Sequence, residues 1–538
     1  MRMALTLAAA TFLAVPVRGG PGLIVLVSVD QMRGDYVERY RGDWAGGLRR
    51  LLDGGAWFRQ ATYSYSHTVT CAGHATISTG TLPRTHGMVL NEWWDRGSGE
   101  SVRCTADPSV RNLPYGAEPP PEGLPGDGPG RLLSPTLADV LRLEAGARVA
   151  SLSLKARSAI ALAGREADLA VWLDGEGRWT TSSAFADSPP GFLAETAAAL
   201  APQTAVGWAW QPRRAIETYR GADDVAWERP PRGWGVTFPH VIGEGAESVA
   251  SPTAWAVADH WRRSPLSDAA LVELALAAAD GLQLGRRGTT DYLAIGFSAL
   301  DYVGHKFGPD SAEVEDLLLR LDESLGMLLA GLEASLGPDG FVLALTADHG
   351  VSPIPEGVRA AGLDAGRVST EDLAAGVEEL LVTRLGPGRY VAAMTHTDLY
   401  FAPGVYERID AAGLLPAVAD RLAKGPGVER VFRKEQLAGP AGDDASLRAH
   451  ARSYHPDRSG DLVVSWKPYW ISSSDGATHG TERAYDTRVP ILLYGPGIRT
   501  GRYLTEAHPV DVAPTLAFLS GVILPSPEGR VLSEALAD

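Results

Sequence analysis

Apolar positions in this chain follow two rhythms. Short unbroken runs, bounded by glycine or polar residues, occupy Leu23 to Val29 and Phe341 to Ala347. Such runs read as strands buried on both faces, as in a parallel sheet. Similar runs at Val149 to Leu154, Leu169 to Leu173, Tyr292 to Phe297 and Pro490 to Tyr494 predict further strands. Between them the apolar residues recur at helical spacing. Val314, Leu317, Leu318, Leu321, Leu325, Leu328 and Leu329 mark one face of a helix over Ala312 to Leu336. Thr136 to Glu144, Asp268 to Asp280 and Val512 to Leu519 predict three more helices. Alternating strands and helices imply an α/β fold, a mostly parallel central sheet flanked by helices.

Three segments break the rhythm. Pro119 to Gly130 is dense in Pro and Gly and reads as a surface loop. Trp208 to His240 is rich in Trp, Arg and Pro, which suggests an excursion over the sheet edge, an insertion at about 200–250. Residues 352–474 form a second expected insertion, with strands at Asp398 to Phe401 and Asp461 to Trp466 and a helix at Ile409 to Leu422. Both are expected as subdomains over the edge where chemistry takes place.

Met1-Arg2-Met3 precedes an apolar stretch from Ala4 to Val15. A charged residue followed by a short apolar run has the shape of a secretory signal. We expect residues 1–18 to be a signal peptide and 19–538 a catalytic domain, exported to the periplasm or secreted. No other stretch is long and apolar enough for stable membrane insertion. The formal charge of −16 argues against binding a nucleic-acid polymer. The two cysteines, Cys71 and Cys104, could pair or be unrelated, and the sequence leaves both open. Two thiols alone cannot make a metal site, so any ligands must be His and carboxylate.

Those ligands are present. Asp30 ends the first apolar run, and Asp348-His349 end another. Ligands gather outside the carboxyl ends of strands in open α/β sheets. Asp301 and His305 stand at i, i+4, one helical turn apart. His479 lies in the small-residue loop Gly476-Ala477-Thr478-His479-Gly480. Singly, each has a plain reading: an Asp after a strand caps a helix, and a surface His is solvated. Jointly, three Asp and three His suffice for two divalent ions with few ligands each. Mixed N/O donors suit zinc, and open positions mark a catalytic rather than a structural site.

The full set resembles the alkaline phosphatase superfamily, most closely the phosphate-irrepressible (PafA-like) alkaline phosphatases. The resemblance rests on Ser28-Val29-Asp30, Thr70-Cys71-Ala72-Gly73-His74, His86-Gly87 through Asn91-Glu92-Trp93, Lys155-Ala156-Arg157, Asp301 to His305, Ala347-Asp348-His349-Gly350, His479-Gly480 and Asp511 to Thr515. It implies two Zn²⁺, one held by Asp301, His305 and His479. The other would be held by Asp30, Asp348 and His349, with the Thr70 oxygen as a fourth ligand. It implies Thr70 as nucleophile, passing through a phosphothreonine, with Asn91, Lys155 and Arg157 on the phosphoryl oxygens. The i, i+2 spacing of Lys155 and Arg157 fits an extended segment that turns both side chains to one face. His74 is expected to pack rather than to act as a base.

The implied substrates are phosphate monoesters, with inorganic phosphate as product. Two cations near the phosphoryl oxygens favour a dianionic monoester over a monoanionic diester. The alternative is a phosphodiesterase or nucleotide pyrophosphatase using the same two-metal site. A sulfatase is disfavoured, because Cys71 is followed by Ala72-Gly73-His74 and not by a CxPxR-like motif.

Overall fold

The computed structural model describes residues 20–121, 123–245 and 253–537. The expected leader over 1–18 lies outside the described residues. Ten strands make the central sheet. They are β1 (Leu23–Val29), β2 (Ala56–Phe58), β3 (Asn112–Pro114), β4 (Val149–Ser153), β5 (Leu169–Leu173), β6 (Trp179–Ser182), β7 (Asp291–Phe297), β8 (Phe341–Thr346), β9 (Ile491–Tyr494) and β10 (Gly501–Tyr503). Their order across the sheet is β10-β2-β9-β8-β1-β7-β4-β5-β6-β3. The five central strands β8, β1, β7, β4 and β5 pair in parallel. Only β9 and β6 run against the rest, each antiparallel to both of its neighbours.

Helices cover both faces: α1 (Thr70–Thr79), α2 (Leu137–Ala145), α3 (Ala156–Ala163), α4 (Pro265–Gly281), α5 (Ala299–Phe307), α6 (Ala312–Leu336) and α7 (Val512–Ser520). The alternation of side chains along β1 explains why. Leu23, Val25 and Val27 pack with Leu271 and Leu274 of α4 and Leu317 and Leu321 of α6. Ile24 and Leu26 join Leu137 and Leu141 of α2, Ile160 of α3 and Leu516 of α7 on the other face. Every residue of β1 is buried, and all but Ser28 are apolar. Each such side chain contributes about 1.5–3 kcal/mol relative to exposure.

The apolar pattern predicts most of these elements to within a residue or two. Helix α4 starts earlier than expected because Pro265 opens its first turn, where a missing N–H costs nothing. Strand β9 runs antiparallel to β8, a direction that an apolar run does not encode.

Between β8 and β9 the chain builds a second, four-stranded antiparallel sheet from Val391–Thr395, Asp398–Phe401, Leu462–Trp466 and Val428–Arg433. It has its own core, which includes Val377, Leu381, Leu399, Ile409, Val418 and Val464. The helix expected over Ile409 to Leu422 is two helices, Val405–Ala411 and Leu415–Ala423. Gly413 breaks them by turning left-handed at φ 67°. The excursion over Trp208 to His240 lies against α6 and the end of α5. Trp210 Nε1 donates to Asp316 Oδ2 at 2.6 Å, and Arg229 N–H donates to Lys306 O at 2.8 Å.

Candidate active site

Four adjacent parallel strands deliver the site to one edge of the sheet. In the order β8-β1-β7-β4, Asp348 follows β8, Asp30 follows β1, Asp301 follows β7 on the first turn of α5, and Lys155 follows β4. This is the carboxyl end of the strands, where loops and helix starts are free to vary without disturbing the core.

The side chains gather into two donor sets. Asp301, His305 and His479 each offer a ligand atom, all within 4.8 Å of one another, and Asp30, Asp348 and His349 do the same. The turn of α5 brings His305 Nε2 to 3.1 Å from Asp301 Oδ1. All three imidazoles are oriented from behind. Their Nδ1 atoms reach backbone carbonyls: His305 to Ala477 at 2.8 Å, His349 to Gly350 at 2.9 Å, and His479 to Thr68 at 2.8 Å. With Nδ1 turned to a carbonyl, Nε2 is the nitrogen that faces inward, the usual arrangement of a metal-binding histidine.

The second set passes a stricter test of fit. His349 Nε2 lies 3.3 Å from both Asp30 Oδ1 and Asp348 Oδ2. All three atoms are buried, and no hydrogen bond satisfies any of them. Leaving a buried polar atom unpaired costs about 1–3 kcal/mol. Converging, unpaired N and O donors are what a cation removes from that account.

The electrostatics agree. Burial opposes the Asp30 carboxylate, as does Asp301, yet Lys155 and His349 hold its pKa well below the usual carboxylate range. Burial would depress His349, but Asp348, Asp30 and Asp301 outweigh it and lift the imidazole to about 9. Burial, together with His349 and His305, pushes His479 far down. The carboxylates therefore concentrate negative charge around His349, and Lys155 partly offsets it. Its ammonium donates to Asp30 Oδ2 and to Asp301 Oδ2, one carboxylate from each set.

Thr70 begins α1 and is buried. The chain around the start of that helix contacts both sets. Thr68 O takes the His479 proton, while Gly73 abuts Asp348 so closely that a Cβ would sit 2.2 Å from the Asp348 carbonyl oxygen. His74 Nδ1 lies 2.9 Å from Thr70 O and 3.2 Å from Asp348 Oδ2. Its Nδ1 proton is given to the Thr70 carbonyl and not to the Thr70 hydroxyl.

Cys71 and Cys104 are disulfide-bonded, with Cα atoms 6.7 Å apart, which resolves the alternatives that the sequence left open. Asn91 joins the same unit. Its Oδ1 accepts from Cys71 N–H at 2.9 Å, and its carbonyl accepts from Cys104 N–H at 2.9 Å. The amide group left to donate is Nδ2.

One expectation needs correcting. Lys155 is extended (φ −110°, ψ 128°), but Arg157 lies in the first turn of α3. The two side chains diverge because the chain enters a helix between them. Lys155 reaches the carboxylates, whereas Arg157 lines a small cavity with Cys71 and Cys104, its buried Nε without a hydrogen bond.

Gln31 escaped the sequence reading. It is buried, adopts a left-handed φ of 69°, and ties the two sets together. Its backbone N–H donates to Asp348 Oδ1 at 3.1 Å, and its Nε2 donates to Asp301 Oδ1 at 2.7 Å. Gly304 on α5 makes room for it, since a Cβ there would stand 1.9 Å from Gln31 Oε1. The only signal in the sequence was adjacency to Asp30.

A family model described as type I phosphodiesterase / nucleotide pyrophosphatase matches residues 24–487. The chain belongs to that family. Within it, the chain is similar to alkaline phosphatase PafA of Elizabethkingia meningoseptica, 30% identical over 534 residues, which span 96% of this chain and 94% of that protein. Alkaline phosphatase PhoK of Sphingomonas sp is 32% identical over 537 residues, spanning 95% of this chain and 90% of that protein. The crystal structure of wild-type PafA superposes with a TM-score of 0.85 at 29% identity, covering 96% of this chain and 99% of that one. Within the phosphodiesterase and pyrophosphatase family, the chain therefore stands with the PafA-like alkaline phosphatases, and it is a metal-dependent phosphatase.

Proposed function

We propose that this enzyme hydrolyses phosphate monoesters through a phosphothreonine on Thr70, with two zinc ions bound by the donor sets. What supports the reading is that Thr70 begins a helix whose Gly73 packs on Asp348 of one donor set, while Thr68, two residues before Thr70, accepts from His479 of the other. Asp301, His305 and His479 would hold one ion. Asp30, Asp348 and His349 would hold the other, with the Thr70 oxygen completing it. Bound cations would lower the pKa of the Thr70 hydroxyl and offset charge on the attacking and leaving oxygens.

The residues of this chain do the rest. Thr70 gives its hydroxyl proton to solvent, Oγ1 attacks phosphorus, its bond to phosphorus forms, and the ester P–O bond breaks. The departing alcohol takes its proton from solvent. Water then attacks the phosphothreonine, the bond between phosphorus and Thr70 breaks, and inorganic phosphate leaves. Once Asp30 and Asp301 serve as ligands, the Lys155 ammonium is free to pair with a phosphoryl oxygen. Arg157 and the Asn91 amide would approach from the side of the disulfide. Donors aimed at the non-bridging oxygens matter because the transferred group carries its charge there. The Cys71–Cys104 disulfide supports export to an oxidising compartment, the periplasm or beyond.

A phosphodiesterase reading uses the same ions but not the same cations. A diester carries one fewer charged oxygen, so Lys155 and Arg157 would have less to bind. We expect Lys155→Ala/Arg157→Ala to lower kcat/KM on an aryl phosphate by about 10²-fold or more, and on its methyl diester by much less. Equal losses on both substrates would overturn the monoester preference.

Gln31 gives a separate prediction. Gln31→Ala should weaken metal binding about 10- to 100-fold, as loss of a supporting hydrogen bond does elsewhere. Competition with a chromophoric chelator measures this directly. Gly304→Ala should reproduce the effect by displacing the Gln31 side chain. Unaltered affinity in both variants would show that Gln31 does not position the ligands.

A further inference from the structure

On the outer side of α5 a cavity of about 460 Å³ opens between the Trp208 to His240 excursion and residues 353–363. Its walls are apolar and aromatic, with Trp227, Phe307, Ile354, Val358 and Tyr469 among them. Trp227 is 39% exposed and Leu363 55%, unusual for such large apolar side chains, so the mouth of the cavity presents them to solvent. The volume suits a small organic molecule.

Two acids stand in this lining, Asp310, which pairs with Arg39, and Glu228, which has no such partner among the described residues. Glu228 is only 7% exposed, and its Oε2 has no hydrogen-bond partner. Burial, and then the neighbouring charges of Asp223 and Asp224, push its carboxyl up to about 9. Glu313, on the first turn of α6, feels Glu228 in turn. Asp223 and Asp224 therefore set a negative local field, which favours a cationic ligand over a neutral or anionic one, and such a ligand lets Glu228 give up its proton. Glu228 belongs to neither donor set, and no step of phosphoryl transfer uses it. A buried carboxyl with an unmet oxygen, in a cavity walled by three aromatic side chains, combines the elements that recognise organic ammonium groups.

We propose that this cavity binds a primary organic ammonium with an apolar body, its head group on Glu228 and its body against Trp227, Phe307 and Ile354. The head group pairs with the Glu228 carboxylate and meets the negative field of Asp223 and Asp224. The body replaces water along a surface that is otherwise exposed and apolar. The wall is already formed, because Gly357 lets Trp227 lie against its helix, where a Cβ would be 3.0 Å from Trp227 Nε1.

Calorimetric titration of the full chain with 2-phenylethylamine, and with 2-phenylethanol as the neutral analogue, tests this. The amine is expected to bind saturably and at least tenfold more tightly than the alcohol. Glu228→Gln, which keeps the size of the side chain and removes a buried acid, should abolish that preference without lowering the unfolding midpoint. Trp227→Ala at the mouth should weaken both ligands. Absence of saturable amine binding, equal affinity for amine and alcohol, or a preference that survives in Glu228→Gln would each overturn the proposal. The readout is binding alone, so it stands or falls separately from the phosphatase mechanism.

Discussion

Thr70→Ala is expected to lower turnover of an aryl phosphate by about 10³-fold or more, the scale of loss when a covalent nucleophile is removed. The variant should fold. Thr70 is buried, but the helix it begins is held by other contacts: the Cys71–Cys104 bond, the Asn91 hydrogen bond to Cys71, and the packing of Gly73 on Asp348. Thr70→Ser keeps the hydroxyl and should retain turnover, which separates chemistry from packing. The covalent step has its own readout. Rapid acid quenching during turnover should trap phosphate on Thr70, detectable by peptide mass spectrometry, and the alanine variant should trap none. Full activity in Thr70→Ala would remove the nucleophile from the mechanism.

Removing the metal is expected to be as damaging. Without cations, the second donor set holds three buried atoms with no hydrogen bond, and the ammonium of Lys155 lies on two carboxylates instead of a phosphoryl oxygen. Chelation should therefore abolish turnover, and zinc should restore it. It should also lower the unfolding midpoint, because ligands that bind only the folded state stabilise it. One site adds about 4 kcal/mol when free metal stands at 1,000 times its Kd. Magnesium or calcium alone should restore less, since imidazole nitrogens in both sets favour a softer ion. A chelated enzyme with unchanged turnover and unchanged midpoint would contradict this account of the site.

The grouping of the Asp and His residues was more legible in the sequence than the residues that support them. Asp30, Asp348 and His349 were legible because they end apolar runs, and a strand end is a place as well as an element. Asp301 and His305 were legible because i, i+4 spacing has one meaning on a helix. Gln31 was not legible, since its role depends on a left-handed backbone and on Asp301, which lies 270 residues away. Gly73 and Gly304 were in view within their motifs, but the clashes they avoid, with Asp348 and Gln31, exist only once the chain is folded. Arg157 was misplaced because alternation assumes that a strand continues, and here a helix starts at Ala156. The direction of β9 was missed for a related reason: burial fixes which residues are apolar, not which way the strand points. The split at Gly413 had a local signal, a glycine inside a helical pattern, that the apolar spacing of the flanking residues outweighed.

The most direct test of the central claim is elemental analysis of the purified, unsupplemented protein, run alongside Asp348→Ala and Asp301→Ala. Two divalent ions per chain in the native enzyme, with loss of metal and turnover in both variants, is the predicted result. A folded, active enzyme that carries no divalent ion would contradict it.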